Sequence, residues 1–168
     1  MGLKSYKKMY LIGDVDYDSY ATFSEELDKL DKKPPGVVPI ELSSIGGDAY
    51  VALAFYDKII SSKHEIHITV RGLVASAAIL ILTAGTKRVG TSSSWFMVHE
   101  DEPVVNEGAR VTEIERDARH ARRLEHQWNY LLEERTGVSS KIWANLHKEE
   151  TYLSAHEAKK LKLLTDIV

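Results

Sequence analysis

Cysteine is absent from the 168 residues, which excludes disulfides, thiol nucleophiles and thiolate metal sites. The absence fits a reducing compartment, and a cytoplasmic location is the expectation. Long apolar runs are missing too. The longest, Leu73–Leu82, is broken by Ser76 and is far shorter than the roughly 20 residues a spanning helix requires. The opening MGLKSYKKMYLIG lacks the apolar stretch of a signal peptide, so no membrane partner is expected. There is no long basic run, and acids and bases interleave to a formal net charge of −3, so no nucleic-acid partner is expected. Repeats, linkers and low-complexity segments are likewise lacking. What remains is a chain of the right size for one domain, residues 1–168, with a sizeable core.

The apolar residues that are present alternate between two periods. Met9–Ile12 reads as a strand ending at Gly13, and Tyr20, Phe23, Leu27 and Leu30 share a helical face over Ser19–Leu30. After the turn DKKPPG, Val37–Leu42 reads as a strand in which Pro39 points to an edge or an irregular position. SSIGG (43–47) reads as a loop opening a helix over Asp48–Ser62. Ile66, Ile68 and Val70 alternate with polar residues in a half-buried strand, His64–Val70. A glycine-bounded turn then leads into an apolar helix for which Gly85 is the expected C-terminal cap. Lys87–Gly90 and Trp95–Val98 read as short strands, and Ala109–Arg135 as a long polar helix ending before Thr136-Gly137. Helices near Ser139–His147 and Ser154–Leu161 close the chain before TDIV. Strands alternating with helices argue an α/β domain.

Ser76 stands at the strand-to-helix junction of GLVASAAILILTAG. One reading is a helix N-cap. The other is a nucleophile: Ala75, Ala77 and Ala78 leave room for a substrate backbone, although the G-x-S-x-G signature is absent. In that reading the Ala77 N–H points to where an oxyanion forms, assisted by the helix dipole. Gly46-Gly47 offers a second backbone donor, or else simply a glycine-rich turn. A nucleophilic serine needs a base. Of seven histidines, His99 stands out because it ends the apolar strand Trp95–Val98 and opens the acidic stretch Glu100-Asp101-Glu102-Pro103. His64, His67, His120 and His126 are expected to be mostly solvated.

The ordered set is Gly46-Gly47, Gly72-Leu-Val-Ala-Ser76-Ala, Phe96-Met-Val-His99, a long helix, Thr136-Gly137 and Tyr152-Leu-Ser-Ala-His-Glu-Ala158. Leu11-Ile-Gly13, Phe55-Tyr56-Asp57, Thr83-Ala-Gly85 with Lys87-Arg88, and Leu164-Thr-Asp166 accompany it. In this the chain resembles the proteolytic subunit of the Clp protease, the ClpP family of serine peptidases. The resemblance implies an α/β, ClpP/crotonase-like spiral of ββα units with a projecting handle helix. It implies Ser76 as nucleophile, His99 as general base, and the N–H groups of Gly47 and Ala77 as the oxyanion hole, with no cofactor and no metal. Counting from Thr136-Gly137 and from Leu153-Ser154 leads to Glu150, next to Glu149, as the acid of the triad, where the family usually has aspartate.

Substrates would be peptides or unfolded proteins, and the assembly a homo-oligomer, a double heptameric ring joined by handles through Ile114, Ala118, Ala121, Leu124 and Trp128. An ATP-dependent unfoldase is the family's partner. Only eight residues precede the first strand here, so docking to an unfoldase is not assumed. Ser44-Ile-Gly-Gly replaces the family's Ser-Pro-Gly-Gly, and the acidic stretch after His99 replaces its Gln-Pro. Two alternatives stand beside this expectation: a catalytically weak ClpP-like scaffold or ring subunit, and a crotonase-type acyl-CoA enzyme.

Overall fold

The computed structural model describes residues 3–100 and 108–168, so Asp101, Glu102 and Pro103 of the acidic stretch lie outside the described residues. The elements are β1 (Met9–Val15), α1 (Tyr17–Asp31), β2 (Val37–Gly47), α2 (Ala49–Ser61), β3 (Glu65–Ala75), α3 (Ala77–Ala84), β4 (Lys87–Gly90), β5 (Trp95–Val98), α4 (Val111–Thr136), α5 (Ser140–Lys148), β6 (Thr151–Ser154), α6 (Ala155–Lys160) and β7 (Asp166–Ile167). They gather into two compact units, Met1–Met97 with Tyr152–Val168, and Val98–Thr151. No helix among the described residues is long and apolar enough to cross a membrane.

The first unit is built on a sheet in the order β1-β2-β3-β4-β7, with β5 also paired to β3 and β6 to β5. The β1–β2, β2–β3, β3–β4, β3–β5 and β4–β7 pairings are parallel, as helical crossovers between strands demand. Val38, Ile40 and Leu42 of β2 and Ile66, Ile68 and Val70 of β3 are buried. So is every residue of α3. Each large aliphatic side chain withdrawn from water contributes about 1.5–3 kcal/mol, so this helix and the two strands form the energetic centre of the unit. Phe55 of α2 meets the rings of Tyr20 and Phe23 of α1 at centroid separations of 5.2 and 5.1 Å.

Several local expectations are revised. Ser43–Gly47 is not a loop, since β2 runs on to Gly47 with Asp14 opposite Gly46 and Val15 opposite Gly47. The segment after Val70 is likewise strand, because β3 continues through Gly72 to Ala75. Glycine and serine are poor strand formers alone, but parallel neighbours on both sides supply the ladder, with register shifts opposite Gly13, where β2 carries the extra residue, and around Gly72, where β3 does. Pro39 lies in a strand paired on both sides, not at an edge. Its position is irregular, as expected. Val37 bonds Lys4 and Tyr6 on the β1 side, whereas the ladder with β1 proper starts only at Ile40, and Pro39 sits in the gap. Gly85 caps α3 without a left-handed turn, at φ −63°. Glycine is needed there because a Cβ would lie 2.9 Å from Ile68 Cγ1. His64 is buried, not solvated: it accepts from the Gly36 N–H at 3.1 Å, and its Nε2 lies 2.9 Å from the Leu30 carbonyl oxygen.

In the second unit α5 packs on the last turns of α4. Asn129, Leu132 and Thr136 are the buried residues of α4, and none from Val111 to Trp128 is buried. Gly137 adopts the left-handed conformation, φ 68°, and its N–H caps the helix on Glu133 at 2.7 Å. The chain thereby turns back so that the indole of Trp143, fully buried, donates to Thr136 Oγ1 at 3.2 Å.

Candidate active site

In the first unit, Ser76 is the single residue between the end of β3 and the start of α3. It occupies the N-cap position, yet its side chain makes no capping hydrogen bond. Its backbone is at φ 53°, ψ −128°, a conformation natural to glycine and strained for serine. Strain of this kind costs about 1–3 kcal/mol and persists only where the surroundings impose it. Here they do. The Ser76 N–H donates to the Met97 carbonyl of β5 at 2.9 Å, and its carbonyl accepts from Ile79 at 3.0 Å. Ala75, Ala77 and Ala78 are buried around it while Ser76 itself is half-buried. A sharp strand-to-helix turn that lifts a serine out of a sheet is how nucleophilic serines are displayed.

The end of β2 lies directly against this turn. A Cβ added to Gly46 would stand 2.7 Å from Ser76 Cβ, 2.9 Å from the Ala75 carbonyl oxygen and 3.0 Å from the Ala77 nitrogen. Gly46 therefore has no room for any side chain, and its φ of 102° is one that glycine tolerates. One residue on, a Cβ on Gly47 would lie 2.3 Å from the Val15 carbonyl oxygen. The structure thus brings Gly46, Ser76 and Ala77 into contact, with Gly47 next in the chain. Asp48 then caps α2, accepting from Tyr50 and Val51 at 2.8 and 3.0 Å.

In the second unit, His99 follows β5 directly and is half-buried. The carbonyl of His147, at the end of α5, accepts from the N–H of Glu100 at 3.1 Å and from that of Glu150, also at 3.1 Å. The backbones next to His99 and at Glu150 are thereby tied to one atom. Glu150 has φ 46°, another strained non-glycine backbone, and its side chain is exposed, as is that of Glu149.

Sequence reasoning missed His147. It is 5 % exposed, and its Nδ1 lies 2.8 Å from Asn129 Oδ1. Burial, and secondarily the charge of His99, push its pKa from 6.5 down to about 4, so the ring is neutral at neutral pH. A signal was present: Trp143 and His147 are four residues apart and form the buried face of α5.

The Clp protease family model matches residues 2–168. The chain is 33% identical over 130 residues to the ATP-dependent Clp protease proteolytic subunit 2 of Treponema denticola, a match covering 76% of this chain and 64% of that protein. It is 26% identical over 164 residues to the ATP-dependent Clp protease proteolytic subunit of Bacteroides fragilis, covering 95% of this chain and 78% of that one. A solved structure of a ClpP1 point mutant from Listeria monocytogenes aligns with a TM-score of 0.85 at 24% identity, over 96% of this chain and 90% of the other. That likeness is one of fold. The α/β architecture with its parallel sheet and the family match over all but the first residue agree, and the chain belongs to the Clp protease family.

Proposed function

We propose that the chain is a serine endopeptidase that hydrolyses peptides through an acyl-enzyme. The observation that carries this reading is the imposed backbone of Ser76 at φ 53°, pressed against Gly46 and making no helix cap. Ser76 Oγ attacks the scissile carbonyl while His99 takes its proton. The backbone N–H groups of Gly47 and Ala77 stabilise the oxyanion. His99 then protonates the leaving amine, and water, deprotonated by the same imidazole, releases the acid and regenerates Ser76. Glu150 is assigned to orient His99.

The residues act within a single peptidase domain of a homo-oligomer, a double heptameric ring in which α4 serves as the handle. The absence of any buried residue from Val111 to Trp128 supports that role, since an unassembled handle has nothing to pack against. Substrates are peptides or unfolded proteins, and an ATP-dependent unfoldase is the class of partner that would supply the latter. The exposure of Glu150 favours a second reading, a ring subunit that assembles but cuts weakly.

A fluorophosphonate probe separates the two. We expect covalent labelling at Ser76, and loss of both labelling and peptide hydrolysis by several orders of magnitude in Ser76→Ala with the assembly retained. Undiminished hydrolysis by Ser76→Ala would sink the peptidase assignment; a wild type that assembles without labelling would favour the scaffold.

A further inference from the structure

The edge of the sheet in the first unit carries a feature that the proposed chemistry does not use. Among the described residues β1 has a strand neighbour on one flank only, β2. Natural edge strands are guarded by lysine, proline or a bulge, because an open row of N–H and C=O groups invites another strand. Met9–Ile12 carries none of these: it is paired in regular register with Ile40–Ser43, and Tyr10 and Ile12 are 60% and 66% exposed. A cavity of about 410 Å³ opens along this edge. Every residue from Tyr10 to Asp16 borders it, α1 forms a wall from Asp18 through Thr22 to Glu26, and Leu42, Phe55 and Ile81 close the floor.

The rim is acidic. Asp16 is committed to the fold as the N-cap of α1, accepting from the Ser19 N–H at 2.8 Å. Asp14, Asp18 and Glu26 are exposed and, among the described residues, take part in no ion pair. Elsewhere on the same helix Glu25 and Asp28 are paired, with Lys29 and Lys58. Three uncompensated carboxylates around an apolar floor favour an occupant that is apolar in part and positively charged.

We propose that this groove docks an extended, basic stretch of the peptide substrate, which adds a strand to β1 and sets its cationic side chains against Asp14, Asp18 and Glu26; this rests on the peptidase reading. Strand addition takes its affinity from main-chain hydrogen bonds and its selectivity from alternate side chains. The spacing fits. Asp18 and Glu26 lie about 12 Å apart along the helix axis, and side chains four residues apart in an extended chain are separated by about 13 Å on one face. Asp14 and Val15 stand opposite Gly46 and Gly47, and Gly46 is pressed against Ser76. A strand added beyond β1 is therefore two strand spacings, about 10 Å, from that segment. One part of a substrate can be held there while a later part reaches the serine.

The test uses the full-length Ser76→Ala protein, so that peptide is not consumed, and the labelled peptide fluorescein-Thr-Arg-Val-Thr-Val-Arg-Thr-amide, with arginines four positions apart. Anisotropy should show saturable binding, about tenfold or more weaker when glutamate replaces both arginines, with the difference narrowing as salt rises. Asp18→Asn combined with Glu26→Gln should weaken binding of the arginine peptide about three- to tenfold. Of two arginine peptides N-methylated at alternate residues, odd in one and even in the other, one should lose binding and the other keep it, since only alternate amides face β1.

Equal binding of the arginine and glutamate peptides, no effect of the double variant, or equal loss in both N-methylated peptides overturns the proposal. So does failure of the arginine peptide to bind the assembled protein, and a lower assembly mass in the double variant would assign the groove to a second copy instead. Should the double variant not fold, the glutamate and N-methylated peptides decide the matter on the unaltered groove. Groove binding beside a wild type that hydrolyses no peptide would refute the peptidase reading and leave the docking site standing; hydrolysis by the wild type without groove binding would do the reverse.

Discussion

Gly46→Ala isolates the contact on which the proposed site depends. The new methyl group would stand 2.7 Å from Ser76 Cβ, where ordinary van der Waals contact begins at 3.4 Å. The end of β2 and the turn at Ser76 must therefore separate by about 0.7 Å. The other two neighbours, the Ala75 carbonyl and the Ala77 nitrogen, are backbone atoms and cannot swing aside. An L-residue at φ 102° adds about 1–3 kcal/mol of strain, a stability cost independent of the contact. A misplacement approaching 1 Å at a reacting group lowers turnover by about a hundredfold.

Gly13→Ala is the control. Gly13 has nearly the same φ, 107°, but a Cβ there meets nothing within 4 Å. Denaturation should show both variants destabilised by a similar strain, with Gly46→Ala losing somewhat more. Fluorophosphonate labelling of Ser76 should slow about a hundredfold in Gly46→Ala and remain near wild type in Gly13→Ala. Wild-type labelling in a folded Gly46→Ala would refute the argument that the fit between β2 and Ser76 sets the geometry of attack.

The pH dependence of stability carries the signature of His147. Its folded-state pKa of about 4 lies below the ordinary 6.5, so between these values the unfolded chain holds the extra proton; the stabilisation is complete above pH 6.5 and is lost as pH falls towards 4. From pH 7.5 to 5 the wild type should lose about 2 kcal/mol more than His147→Gln in urea unfolding, and equal losses would contradict a buried neutral ring. For the assembly, light scattering at micromolar concentration should give a mass of many chains, reduced by Trp128→Glu on the half-buried line of α4. A wild-type monomer would refute the ring.

Much of the fold was legible because hydrophobic period and turn chemistry agree. The strands Lys87–Gly90 and Trp95–Val98 are found with the bounds their apolar pattern implies, and Gly137 ends α4 as glycine after a helix should. Where sequence and structure part, the deciding force is non-local. Ser43–Gly47 and Gly72–Ala75 carry loop-forming residues and are strands only because neighbours pair with them. The strand β6 was likewise unforeseen, since Thr151–Ser154 gains its partner in β5. For the proposed site, Ser76 and His99 draw attention in the sequence through their places at a strand-to-helix junction and a strand end, and the structure puts them at the β3–α3 junction and directly after β5. The contact of Gly46 with Ser76 was not visible, because it joins residues thirty positions apart. His147 had a local signal in its i, i+4 spacing from Trp143, but its anchor Asn129 is eighteen residues away and was not legible.

The strand β3 has two successive neighbours on one flank, β4 along His67–Val70 and β5 along Leu73–Ala75. The two short strands are in effect one line of chain spliced at Thr91–Ser94, and the splice is sealed by Ser94, whose hydroxyl donates to the Val70 carbonyl at 3.2 Å. Seen this way, β3 is a ruler against which the second segment is measured afresh. A slip of β5 by one residue would carry the Met97 carbonyl away from the Ser76 N–H and turn buried Phe96 towards the opposite face. An added residue within the splice would instead be taken up before the second measurement begins. The architecture confines tolerance for length changes to the joint and leaves almost none in the three residues that follow it into register.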